Sequence, residues 1–331
     1  MSENTSPKPN MIPNILPSHS DDKQAYFSIT QFAPITEDFF FFDDHLVILS
    51  PFEVIWEAPV LARSLKSLEE HIQYIQNNKI EKAFVIAEDI SFLRRCPDLK
   101  SLQIIPPYSA SVFDYSPLYD MPNLQELNAQ TIYGPKNELN AMIDYSRLPN
   151  LETLSVGGKK GHQNLTSIKA LRKLHLGQGQ PTSRSLADFD FCRLEELALS
   201  ESQIRSLEGL EKATRLRKLS LTYCRTLEDI TSLTSIGDTL TSLEIESCNK
   251  IKDFECLKKL LNLEELTLNG SNPIPNLDFL ENMKKLKSFR FTMNILDGDL
   301  SLCKNIPDVY CQNRKHYNLK NENLPKEKME P

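Results

Sequence analysis

The chain has 331 residues, of which 40% are hydrophobic and 25% charged, and its formal net charge is −7. This composition is typical of a folded protein, and the acidic balance argues against nucleic-acid binding, which needs a basic face. The sequence has no membrane span, no signal peptide and no regular cysteine spacing, so we expect a cytoplasmic protein with reduced thiols.

The N-terminal quarter lacks the pattern that dominates the rest. Residues 1–24 are rich in proline, serine and asparagine and are expected to be disordered, whereas 25–79 are expected to form an N-terminal cap. Within that cap, a helix is predicted over 64–78, with Ser64 or Ser67 as its N-cap. Four apolar residues of this segment recur at helical spacing: Leu65, Leu68, Ile72 and Ile75.

A six-residue pattern, L-x-x-L-x-L, then recurs nine times at intervals of 20 to 27 residues, from "LKSLQI" at 99–104 to "LKSFRF" at 286–291. Degenerate copies lie at 80–85 and 306–311. The last two apolar positions are two residues apart, so both point to one side of a short strand. Apolar residues at every third position follow each strand and fit a short 3₁₀ segment that returns the chain to the next strand. The sequence therefore predicts a solenoid over 80–312.

The pattern resembles the leucine-rich repeat, whose consensus is L-x-x-L-x-L-x-x-N/C-x-L. The repeats are similar to the short repeats of internalins and of a protein phosphatase regulatory subunit, and "CRTLEDI" and "CNKIKDF" resemble the cysteine-containing variant. The segment "NRKHYN" after the last repeat resembles the tail of some bacterial cytoplasmic members. The resemblance implies an α/β solenoid that is curved, with a parallel sheet on the concave face and short 3₁₀ or α segments on the convex face. Four residues occupy the inward asparagine position of the consensus: Ser202, Cys224, Cys248 and Ser271.

Residues 313–331 are expected to close the array as a C-terminal cap or tail. The early repeats are longer than the others and contain half of the tyrosines. These side chains either cover their own repeats on the convex surface or form an interaction edge, because exposed tyrosines are favoured at interfaces. They are Tyr108, Tyr115, Tyr119, Tyr133 and Tyr145.

Catalytic signals are weak. The sequence has no phosphate-binding loop and no zinc spacing, and Asp297-Gly298-Asp299 is interpreted as a turn because further oxygen ligands do not follow it. His175 is expected on the concave face beside Ser155, but no acid is placed to orient its imidazole. We therefore expect a protein that is not an enzyme and that uses no cofactor or metal.

The remaining interpretation is a monomeric protein-interaction scaffold that binds a partner protein, and neither nucleic acid nor membrane, through its concave face. An inhibitor or immunity protein that neutralises a toxin or enzyme is the main alternative, and a surface adhesin is another. The predicted concave contact residues are Gln103, Asn128, Ser155, His175, Ser220, Tyr223, Glu244, Thr267, Arg290 and Tyr310.

Overall fold

The fold is known from a computed structural model, which describes residues 35–36, 38–42, 44–50, 63–106, 112–130, 140–158 and 161–326. The predicted tail at 1–24 lies outside the described residues. So do 51–62 of the predicted cap and the last five residues of the predicted C-terminal segment.

Within the described residues, thirteen strands form one sheet that follows chain order. The first strand is antiparallel to the second, and every other neighbouring pair is parallel. The strands are β1 (Phe41–Phe42), β2 (His45–Ser50), β3 (Lys82–Ala87), β4 (Ser101–Ile105), β5 (Glu126–Gln130), β6 (Thr153–Gly157), β7 (Lys173–Gly177), β8 (Glu196–Ser200), β9 (Lys218–Thr222), β10 (Ser242–Glu246), β11 (Glu265–Asn269), β12 (Ser288–Phe291) and β13 (Asp308–Cys311).

The register of this sheet repeats from coil to coil. Leu197 pairs with Leu219, which in turn pairs with Leu243, so equivalent leucines stand side by side across strands. A slip by one residue would move every leucine of a strand to the exposed face, and the burial of these leucines therefore fixes the register. The predicted α/β repeat solenoid with one parallel sheet is confirmed.

Short 3₁₀ helices and pairs of two-residue parallel strands make up most of the remaining regular structure, and within the repeats they lie on the side opposite the sheet. The 3₁₀ helices are Ser91–Arg95, Ser116–Asp120, Tyr145–Arg147, Leu165–Ser167, Leu210–Lys212, Thr231–Ile236, Glu255–Lys259, Asp278–Asn282, Ser301–Asn305 and Asn321–Asn323. The short parallel pairs are Ile35–Thr36 with Arg63–Ser64, Val112–Phe113 with Asn140–Ala141, Ile143–Asp144 with His162–Gln163, and Pro273–Ile274 with Asn294–Ile295.

The core lies between the sheet and these 3₁₀ helices. In the coil that begins with Leu216, Leu219 and Leu221 enter it from the strand, whereas Leu227 and Leu233 enter it from the returning segment. All five side chains are at most 2% exposed. The core leucines of the strands, which alternate every two residues, thus face those of the returning segments, which recur every three residues. Together they form one interior that is continuous through the stacked coils.

The N-terminal helix α1 (Leu68–Asn78) begins four residues later than predicted. Ser67 is its N-cap, because the Ser67 side chain accepts from the Glu70 backbone and the Glu70 carboxylate accepts from the Ser67 backbone. Ahead of the helix, β2 pairs in parallel with β3. The main sheet therefore continues into the segment 25–79 that is predicted as the N-terminal cap.

An inward polar side chain follows each of four successive strands and bonds to backbone carbonyls of the preceding coil. After β8, β9 and β10 it stands two residues beyond the strand: Ser202 donates to the carbonyl of Gln180, and Cys224 and Cys248 occupy the same position. After β11 it stands three residues beyond, because Asn272 is buried and bonds to the carbonyls of Cys248 and Ile251. The assignment of Ser271 to this position was wrong, since Ser271 is exposed.

The tyrosines of the early repeats pack inside the protein where the structure describes them. Tyr115 and Tyr145 are at most 2% exposed, and the half-buried Tyr119 hydroxyl accepts from the backbone of Asp144. Tyr108 and Tyr133 lie outside the described residues. The described members therefore cover their own coils, and this favours the packing interpretation over an interaction edge.

The described C-terminal segment packs onto the last coil. Tyr317 and Leu324 are each 4% exposed and belong to the core. The Tyr317 hydroxyl accepts from the backbone of Ile295 and donates to the carbonyl of Met293. These contacts cover the end of the leucine stack, which would otherwise face water.

Candidate functional site

The concave face is formed by the outward side chains of the strands, which stand in three columns. The central column contains all but one of the predicted contact residues, and their Cα positions pair in an unbroken series. Its members from β4 to β13 are Gln103, Asn128, Ser155, His175, Ala198, Ser220, Glu244, Thr267, Arg290 and Tyr310. The leucine motif placed this column correctly, because residues between two core leucines of a strand must point away from the core.

His175 lies in the middle of this column, and both of its ring nitrogens contact serines. Nδ1 is 3.1 Å from the Ser155 hydroxyl on the preceding strand, and Nε2 is 3.1 Å from the Ser200 hydroxyl on the following strand. Burial lowers the pKa of His175 below its ordinary value of 6.5. The sequence pointed to Ser155 as a neighbour but missed Ser200, which belongs to the adjacent column.

The His175 cluster does not assemble the partners of a nucleophilic triad. Such a triad needs a base whose second nitrogen is held by an acid, and here that nitrogen faces the Ser200 hydroxyl. The hydrogen bonds instead tie three neighbouring coils together on the concave face.

The buried imidazole predicts a pH dependence of stability. Because the pKa of His175 is lower in the folded chain than in the unfolded chain, the unfolded chain binds more protons below pH 6.5. Stability should therefore be complete above pH 6.5 and decrease as the pH falls towards 5. Replacing His175 with Gln should weaken this decrease, as measured by thermal unfolding between pH 5 and 8. Identical pH profiles for the two proteins would contradict the prediction.

The largest exposed side chains of the central column lie at its C-terminal end. The Arg290 side chain is 62% exposed and stands 3.4 Å from the carboxylate of Asp308, and Tyr310 is 53% exposed. The Lys326 ammonium group lies 5.5 Å from the centre of the Tyr310 ring. An arginine and a tyrosine with one face open are the residue types that contribute most at protein interfaces.

The middle of the concave face carries charges of both signs. Glu196 stands between two lysines, with its carboxylate 3.2 Å from the Lys173 ammonium and 4.0 Å from the Lys218 ammonium. The Ser220 hydroxyl donates to Glu244 at 2.7 Å. These exposed pairs contribute little stability, so their side chains can exchange partners at low cost.

Tyr223 was predicted as a concave anchor, but the structure places it at the rim. It follows the last residue of β9, has a φ of 54°, and is half-buried. Its backbone N–H donates to the carbonyl of Glu246 on the next coil. Tyr223 is therefore outside the three columns that the strand residues form.

The N-terminal end of the concave face is apolar, which the sequence did not indicate. Val47 and Phe84 continue the central column, and Ile86 belongs to the neighbouring one. All three are less than 9% exposed and form a cluster separate from the main core. The degenerate repeat "IEKAFV" did not predict this apolar surface, because its apolar residues occupy both faces of the strand and do not show which of them point away from the core.

Within the described residues, no group of three or more histidine, cysteine or acidic side chains could hold a metal. Gly298 has a φ of 70°, and the Asp297 carboxylate accepts from the backbone of Asp299, so this segment is a turn.

Cys224 and Cys248 are fully buried, and their thiols lie 3.5 and 3.3 Å from the carbonyl oxygens of Leu199 and Leu221. Among the helices that the structure describes, none has the length and apolarity to cross a bilayer.

Comparison with known proteins adds evidence on the fold. No protein-family model and no curated protein sequence matches the chain. An internalin of Listeria monocytogenes, inlF, has a similar structure: the match covers 74% of this chain and 73% of the internalin, with a TM-score of 0.50 and 18% identity. The chain has the leucine-rich-repeat fold.

Other leucine-rich-repeat structures are similar over comparable lengths. The functional domain of InlJ from Listeria monocytogenes, which includes a cysteine ladder, is 17% identical, with a TM-score of 0.49. That match covers 68% of this chain and 46% of the InlJ chain. A leucine-rich-repeat protein of Leptospira interrogans is 15% identical, with a TM-score of 0.47 over 75% of this chain and 71% of its own.

Proposed function

We propose that this leucine-rich-repeat protein is a non-enzymatic recognition module that binds a partner protein through the C-terminal half of its concave face. The observation that supports the proposal most is the pair Arg290 and Tyr310, which are exposed side by side on a rigid sheet. The strands already fix the backbone at both positions, so binding there requires no further ordering of the backbone.

The rest of the column favours the same region. Ser155, His175 and Ser220 are short or already bonded to neighbours, so they offer a flat, polar surface. The N-terminal end is closed by its own apolar cluster. A partner that contacts the C-terminal end can therefore anchor on one arginine and one tyrosine and meet mixed charges towards the middle, an arrangement of anchors and polar rim that is typical of protein interfaces.

The double variant Arg290→Glu/Tyr310→Ala should fold normally and lose the partner, because it reverses one charge and removes one aromatic anchor. We expect at least about a tenfold loss of affinity, from the usual cost of truncating central interface residues. The measurement is capture from a lysate of the organism that encodes the chain, quantified by mass spectrometry against the wild type.

A matched control replaces a basic and an apolar side chain on the opposite side of the solenoid, Lys304→Glu/Leu296→Ala, both of which are exposed. A protein retained by the wild type and by this control, but lost from the concave variant, would support the proposal. Equal retention by all three proteins would place the interface outside the C-terminal half of the concave face.

A further inference from the structure

Three of the turns that lead into the strands carry an asparagine three residues before the strand, where its side chain bonds to the preceding coil. Asn123, Asn150 and Asn262 each donate from Nδ2 to a turn carbonyl of the preceding coil, at 3.1, 3.0 and 2.7 Å. These bonds satisfy carbonyl groups that the turn would otherwise leave without a partner.

Four successive coils between Asn150 and Asn262 lack this asparagine. The equivalent positions before β7, β8, β9 and β10 hold Ala170, Arg193, Arg215 and Thr239. Both arginines are exposed. Neither side chain is hydrogen-bonded among the described residues, and the charge of Arg215 contributes to the lowered pKa of Glu195. Because β8 and β9 are neighbouring parallel strands, the two arginines start one strand spacing apart, about 4.8 Å.

A cavity of about 270 Å³ opens at this edge. Ala170 has only a methyl group at the position that Asn150 occupies in the preceding coil, and this leaves space beside the arginines. The Arg172 guanidinium lies 3.0 Å from the Glu195 carboxylate and 3.8 Å from that of Glu152, and its hydrogen bonds lower the pKa of Glu195. The cavity is lined by Glu152, Ala170, Arg172, Arg193, Glu195 and Arg215.

The charge of this lining is positive although the chain is acidic. Three arginines face two glutamates, so the lining has a net charge of +1 within a chain of net charge −7. Arg172 forms ion pairs with both carboxylates, so the net positive charge of the lining is contributed by Arg193 and Arg215. Guanidinium groups present paired N–H donors that match the oxygens of phosphate groups.

We propose that this cavity binds a phosphate dianion, free or carried on a phosphorylated side chain, between Arg193 and Arg215. The site is on the edge of the sheet, away from the concave columns, so it is independent of the partner contact proposed above.

The test is titration calorimetry of the full chain with inorganic phosphate at low ionic strength. The variant Arg193→Ala/Arg215→Ala should bind phosphate at least about tenfold more weakly, because it loses two charged hydrogen-bonding groups. The control Lys284→Ala/Lys304→Ala changes the net charge equally on distant coils and should bind like the wild type. Absence of saturable binding, or equal binding by both variants, would overturn the proposal.

A second titration separates the two sources of phosphate, with circular dichroism to verify that every variant is folded. The probe is a labelled peptide with one phosphoserine, compared with the same peptide carrying serine. Binding of the phosphopeptide alone, with displacement by inorganic phosphate, supports recognition of a phosphorylated side chain. Saturable binding of inorganic phosphate without peptide binding supports a site for the free ion.

Discussion

Replacing Leu219 with Asp should unfold the array around β9. Leu219 is 2% exposed and packs within the shared interior between Leu197 and Leu243. A carboxylate at this position would have to lose its hydration or take up a proton, and we expect a loss of at least about 4 kcal/mol in the free energy of unfolding. Urea denaturation followed by circular dichroism measures the change.

The control Thr214→Asp adds the same charge to an exposed turn of the same coil and should leave the urea midpoint nearly unchanged. If Leu219→Asp also left the urea midpoint unchanged, Leu219 would not face the interior, and the register of the whole sheet would have to be revised.

Replacing Gly209 with Ala should have the second largest effect, because the coils touch backbone to backbone there. A Cβ atom at Gly209 would lie 2.6 Å from the carbonyl carbon of Leu186 and 2.7 Å from the backbone nitrogen of Ala187. The φ of Gly209 is 101°, which side chains also disfavour. We expect a loss of roughly 3 kcal/mol from strain and overpacking together, measured by urea denaturation.

Gly270→Ala is the matched comparison, because its φ of 153° is also positive but its close neighbours are the ends of the Asn249 and Met293 side chains. Those side chains can move, so the loss should be clearly smaller than at Gly209. Equal losses at the two glycines would show that backbone strain, and not contact between coils, determines the cost.

The sequence predicted the sheet well because its signal is periodic and redundant. Each strand from β4 to β13 carries its own pair of core positions, and burial of these pairs fixes both the strand and its register. The central concave column followed directly, since Ser220 and Glu244 must point outward when their neighbouring leucines point inward.

Other features depend on contacts that local periodicity does not encode. The bond between His175 and Ser200 joins side chains on two coils and two columns. Asn272 replaces Ser271 as the inward residue because the turn after β11 is one residue longer. Arg193 and Arg215 are recognised as unusual only when their positions are compared with the asparagines at equivalent positions of other coils. The strand β2 could not be predicted from the repeat because it lacks the leucine motif.

The longer turn before Asn272 has a consequence for how such a protein can change. After β10 the inward residue comes two positions beyond the strand, and after β11 three, yet β11 still pairs with β12 without a slip. The turn at the rim of the solenoid thus varies by one residue between neighbouring coils while the pairing of the strands is unchanged. Descendants of this chain could therefore acquire new loops at the rim while the spacing of the inner wall is inherited intact.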